Sequence, residues 1–125
     1  MEDALVLIEA QCVRQLTNGW HIAIRAKFVD VSPARPWGVD YGLVLMNGKQ
    51  RLLGFDNRHA YDDAPADARW DHEHRAGVPG QAFRYDAEDA WSLMNAFWDR
   101  FDDYLKAHFD HTGEVLKFLE EGGSA

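Results

Sequence analysis

The sequence predicts an α+β fold: an antiparallel β-sheet of about five to six strands covered by a long C-terminal amphipathic helix. Three observations carry this. Asn18-Gly19 and Asn47-Gly48 each separate two stretches in which apolar residues alternate, the pattern of two hairpins. A further short alternation runs through Trp70, His72 and His74. From Ala90 onward the apolar period changes from two to between three and four, which is that of a helix.

Taken in order, Val6, Ile8, Ala10 and Cys12 share one parity and read as a first strand, and Trp20, Ile22, Ile24, Ala26 and Phe28 read as a second. Asn18-Gly19 between them suits a tight type I′ turn. Ser32 to Gly38 contains Pro33 and Pro36, which remove backbone donors, and reads as a loop. Tyr41, Leu43 and Leu45 precede the second Asn-Gly turn, and Leu53 and Phe55 follow it. Residues 57 to 68 lack any period and read as an exposed loop. Trp70, His72 and His74 then alternate with Asp71, Glu73 and Arg75, a short strand near Gly77 and Pro79 that reads as an edge; Phe83 and Tyr85 add a last strand. Asp86, with Asp89 three residues on, is the expected helix cap. The stripe is Ala90, Met94, Phe97, Phe101, Leu105 and Phe109, widened by Trp91 and Trp98. Residues 114 to 121 read as a further helical turn or two before Gly122-Gly123. This organisation gives one α+β domain over residues 1–121 and a flexible tail over 122–125.

Composition narrows the class. A chain of 125 residues with five Trp and seven Phe suits one well-filled core. Met1-Glu2-Asp3 is acidic and unlike the basic start of an export signal, and no uninterrupted apolar stretch approaches membrane-spanning length, so no membrane is expected and the localisation reads as cytoplasmic. A single cysteine, Cys12, agrees with a reducing compartment, rules out a Cys-based zinc knuckle, and reads as strand packing. Net charge is −8. Residues 86 to 121 carry ten Asp and Glu against Arg100, Lys106 and Lys117, so the acidity belongs to the helix and leaves the sheet half near neutral.

The candidate chemistry lies in Asp56 and in Asp71-His72-Glu73-His74. On a strand, His72 and His74 face one way, the geometry of an acid/base pair or of half a metal site, while Asp71 and Glu73 face the other. A zinc site wants a third ligand and partners that orient each imidazole. No metal and no cofactor is therefore expected. The competing reading places both histidines on the wet face of an edge strand, as solubilising groups. His21, His59, His108 and His111 read as structural.

Gly54-Phe55-Asp56-Asn57 followed by Asp71-His72-Glu73-His74 resembles the G-Y-D-N and D-H-x-H signature of the TumE-type toxin family of bacterial toxin-antitoxin systems. The similarity runs from about Pro36 to Phe101. By position, Asp56, Asn57, Asp71, His72 and His74 match the signature, and Arg69 stands where a lysine usually precedes the D-H-x-H run. About ten extra residues separate the two motifs, Asp40 and Gly42 replace basic positions, and Trp37 replaces a histidine.

The resemblance implies a small cytoplasmic toxin with a cognate helix-turn-helix antitoxin as partner, RNA as substrate, and a homodimer as an open option. Residue chemistry then suggests metal-independent phosphodiester cleavage. His72 and His74 would exchange protons with the RNA, and Asp71 or Asp56 would orient an imidazole. Arg69, Arg75 or Arg58, with Asn57, would hold the substrate. The alternative is a non-catalytic binding or regulatory domain, or an inactive toxin homologue, with Trp37 and Trp70 anchoring a partner.

Overall fold

The computed structural model describes residues 3–32, 35, 38–57, 71–77, 83–85 and 88–120. The elements are α1 (Ala4–Glu9), β1 (Cys12–Gln15), β2 (His21–Phe28), β3 (Val39–Asn47), β4 (Gln50–Asp56), β5 (His72–His74), β6 (Phe83–Arg84) and α2 (Ala90–Thr112). The strands form one six-stranded sheet in the order β1-β2-β3-β4-β5-β6, each pair antiparallel. The α+β class, the antiparallel sheet and the C-terminal helix match the sequence-based expectation. Among the described residues no helix is long and apolar enough to cross a membrane.

Both Asn-Gly pairs turn the chain, but neither as a type I′ turn. That turn needs positive φ at two successive residues, and in the described backbone only glycines have positive φ. In the first hairpin the N–H of Leu16 donates to the carbonyl of Trp20 (2.7 Å) and that of Gly19 to Leu16 (3.0 Å), closing a three-residue loop. Gly19 takes φ 92° there, the left-handed position of a bulged loop, and the Asn18 side chain accepts from the N–H of Trp20. In the second, Asn47 pairs with Gln50, so Gly48 is first in a two-residue loop with φ 58°, the pattern of a II′ turn.

The expected first strand is corrected. Residues 4 to 9 form α1, and only Cys12 of the four alternating residues lies in a strand. Leu5 and Leu7 are apolar as well as Val6 and Ile8, so a helix can select Ala4 and Leu7, three apart, for burial at 3% and 0% exposure. The end of the chain is corrected too. Gly113 caps α2 with φ 76° and donates to Phe109, and residues 114 to 120 then run without helix. Phe118 bridges Leu16, and hydrogen bonds from Leu119 to Gln15 and from Thr17 to Lys117 lay this segment along β1. Phe118 stacks on Phe101 and lies under the Arg14 guanidinium. The expected tail, residues 122–125, lies outside the described residues.

One face of the sheet carries the core. Ile22, Ile24 and Ala26 of β2, Tyr41, Leu43 and Leu45 of β3, and Leu53 and Phe55 of β4 meet Ala90, Leu93, Phe97 and Phe101 of α2 and Leu7 of α1. The predicted stripe holds at Ala90, Phe97 and Phe101 and partly at Met94 and Leu105, but Trp91 and Phe109 are exposed and Leu93 takes a buried place. Cys12 packs against this core, as read from its strand. The cap of α2 is Asp89, whose carboxylate accepts from the N–H of Ser92 (2.7 Å); Asp86 lies outside the described residues. A second carboxylate, that of Asp3, accepts from the N–H groups of Ala90 and Trp91 and ties α1 to the start of α2.

Candidate functional site

Strand register assigns the faces. Asp56 stands opposite His72 and Gly54 opposite His74, whereas Phe55 stands opposite Glu73. Phe55 belongs to the core and Glu73 reaches Arg100 on α2, so Asp56, His72 and His74 lie on the face away from the helix. Asp71 goes with Glu73: it acts on the buried Tyr41 hydroxyl, which burial first, and the Asp71 charge second, push well above the ordinary tyrosine value.

Asp56 gathers the two imidazoles. Its Oδ2 lies 2.9 Å from Nε2 of His74, and its Oδ1 lies 3.7 Å from Nδ1 of His72. The imidazole rings are 6.4 Å apart, centre to centre. Side-chain exposures of 13% for His72, 18% for His74 and 11% for Asp56 make this a recess. The wet-edge reading of the two histidines therefore fails, and so does the edge itself, because β6 pairs with β5 through His72↔Arg84 and Glu73↔Phe83.

Two arginines that sequence reasoning missed belong to this face, one in contact with Asp56 and one on a neighbouring strand. Arg51, at the start of β4, places Nη1 3.2 Å from Oδ2 of Asp56. Leu45 pairs with Leu53 and Met46 with Arg51, so Leu52 is an extra residue of β4, and this bulge turns Arg51 to the face of Asp56. Arg25 stands opposite Gly42, which in turn stands opposite Asp56. A methyl group at Gly42 would come within 2.9 Å of the Arg25 guanidinium, so the missing side chain makes room for that cation one strand away from Asp56. Arg25 also pairs with Asp40 at 3.2 Å. Thus Arg25 lies over Gly42 and beside Asp40. Arg84, opposite His72, ends the same cross-strand row. The signal available in the sequence was the parity of Arg25 with Ala23 and Lys27, but the pairing that makes it count is long-range.

The remaining expected site residues are dispersed. Arg75 turns to the helix face, 3.5 Å from Glu73 and over the ring of Phe83. Asn57 is built into the sheet: its Oδ1 accepts from the N–H of Tyr41 (3.0 Å) and its Nδ2 donates to the carbonyl of Val39 (2.7 Å). At 3% exposure it extends the β3–β4 ladder by one side chain. Arg58, Arg69, Trp37 and Trp70 lie outside the described residues. Of the histidines read as structural, His108 bonds Glu114 and meets the Trp20 ring edge-on, and His21 lies in β2.

Among the described residues no group of three or more His, Cys, Asp and Glu is arranged to hold a metal ion. The arrangement joins a carboxylate to two imidazoles with the Arg51 guanidinium on the carboxylate, a set of groups capable of proton transfer. In comparisons with known proteins, no family model, no curated protein and no solved structure matches this chain.

Proposed function

We propose that the protein is a toxin of the TumE type that cleaves RNA by metal-independent acid/base chemistry, with His72 and His74 as the proton-transfer pair. The observation that supports this most is the single Asp56 carboxylate shared by both imidazoles. A carboxylate on one ring nitrogen fixes which nitrogen carries the proton and which offers a lone pair. With Asp56 hydrogen-bonded to Nε2 of His74, Nδ1 of that ring is the nitrogen that meets substrate, while at 3.7 Å from Nδ1 of His72 the carboxylate acts on the second ring by its charge.

In the proposed reaction one imidazole takes the proton of a ribose 2′-hydroxyl. The 2′-oxygen attacks the adjacent phosphorus, the bond from phosphorus to the 5′-oxygen breaks, and the other imidazole protonates that leaving oxygen. The products are a 2′,3′-cyclic phosphate and a 5′-hydroxyl. The phosphate lies across the ring nitrogens turned away from Asp56, each donating or accepting over a hydrogen bond of about 3 Å. Arg51 and Arg25, rather than Arg75 and Asn57, stabilise the extra charge on the phosphate oxygens. The acidic face of α2 lies on the other side of the sheet and does not oppose RNA there. A cognate helix-turn-helix antitoxin restrains the activity by covering this recess; β5 is flanked on both sides, so the cover is by side chains and not by strand addition.

Induced expression in bacteria tests the proposal. The wild type arrests growth, and His72→Ala at equal protein level does not. Equal arrest by both would remove His72 from the mechanism.

A further inference from the structure

We propose that the cleft between α2 and the β4–β5 end of the sheet is a nucleobase site for RNA, on the opposite face of the sheet from the His72 and His74 side chains. The choice of RNA rests on the reading above; the cleft itself stands on separate observations. Its volume is about 490 Å³, within the range of small-ligand sites. Leu53 and Phe55 form its sheet wall and Tyr104 and Ala107 its helix wall. At this place between a helix and a sheet an apolar side chain is expected, yet β5 supplies Glu73, 3% exposed.

The polar chemistry of the cleft selects its ligand. Arg100 gives its Nε to one oxygen of Glu73 at 2.8 Å and Arg75 gives its Nε to the other at 3.5 Å. Each guanidinium has further N–H donors, and both side chains remain about half exposed, at 47% and 53%. With Asp103 also lining the cleft, two acidic and two basic groups balance there. A free phosphate would meet two carboxylates, and an alkyl chain would leave the guanidinium donors unused. A flat, neutral ring with polar edges satisfies both the apolar walls and the donors, which describes a nucleobase stacking on an aromatic side chain. His74 borders this cleft by its place in β5, while its imidazole turns to the opposite face of the sheet toward Asp56.

The test is a titration of ¹⁵N-labelled full-length protein with adenosine, guanosine, cytidine and uridine, and separately with ribose 5-phosphate. At least one nucleoside should shift the amide signals of Phe55, Glu73, Ala76 and Ala107, and ribose 5-phosphate should not. Tyr104→Ala should weaken that nucleoside about tenfold by removing a stacking surface. Ala107→Phe, which adds bulk at an exposed helical position on the cleft, should abolish binding and leave the melting temperature unchanged. No shift at these amides with any of the four nucleosides, or undiminished binding by Ala107→Phe, would overturn the assignment. The cleavage reading fails separately: if nucleosides bind both wild type and His72→Ala but RNA stays intact, the base site stands and the reaction falls. RNA cleaved with no response in the cleft removes the base site alone.

Discussion

Oδ2 of Asp56 lies 2.9 Å from Nε2 of His74, across the β4–β5 pair and on the face turned away from the helix. A carboxylate so placed holds the His74 proton on Nε2 and leaves Nδ1 as the basic nitrogen. Asp56→Asn keeps the shape but also offers a donor, so the preference should be lost. Nitrogen NMR of the imidazoles is expected to show one dominant His74 tautomer in wild type and a mixture in Asp56→Asn. RNA cleavage by the variant should fall about a hundredfold. An unchanged tautomer would remove Asp56 as the orienting group.

Asp3 holds the two helices together. Both its carboxylate oxygens lie 3.1 Å from the N–H of Ala90, where the helix dipole favours negative charge. Asp3→Ala should cost about 1–2 kcal/mol, the ordinary value of a lost helix cap. Urea unfolding followed by circular dichroism measures it, and a change within error would show that Asp89 alone caps α2.

Gly54 is fixed by close approach. A methyl group there would lie 2.7 Å from the Leu43 carbonyl oxygen and 2.8 Å from a methyl of Val44. The first neighbour is backbone of the paired strand and cannot move aside. Gly54→Ala is expected to cost about 2–3 kcal/mol and to disturb the cross-strand position of His74, which faces it. Thermal melting of Gly54→Ala beside the wild type checks the size of the effect.

Tyr41 makes stability depend on alkaline pH. Its hydroxyl is raised above its ordinary value of 10.0 by burial and by the Asp71 and Asp56 charges. Above that ordinary value the unfolded chain ionises while the folded chain keeps its proton, so the unfolded state binds fewer protons and stability falls as pH rises. The contribution is complete below pH 10. Tyr85, raised chiefly by its own burial, adds to the same slope. Tyr41→Phe removes the buried hydroxyl that the Asp71 charge acts on and keeps the ring in the core. It should flatten the loss between pH 9.5 and 11, as read from guanidinium midpoints. An equally steep loss in Tyr41→Phe would assign the slope elsewhere.

What the sequence made legible was local. Each Asn-Gly pair marked a hairpin because a glycine must take the positive φ, although the loop lengths, and hence the turn types, depend on strand register. Alternation placed His72 and His74 on one face and Glu73 on the other. It failed in residues 4 to 9, where nearly every position is apolar and periods of two and of three to four coexist. It failed again after Gly113, where the segment is held by hydrogen bonds to Gln15 and Thr17, about a hundred residues away in sequence. The same limit hid Arg25 and Arg51 from the candidate site. Their relevance comes from Gly42 and from a bulge at Leu52 of β4, and neither is visible before the strands are paired.

The most direct measurement is of the RNA ends. Purified protein incubated with RNA in excess chelator should leave 2′,3′-cyclic phosphate and 5′-hydroxyl termini, and the His72→Ala, His74→Ala double variant should leave the RNA intact. Cleavage abolished by the chelator, or carried out equally by the double variant, would contradict the proton-transfer role of the two histidines.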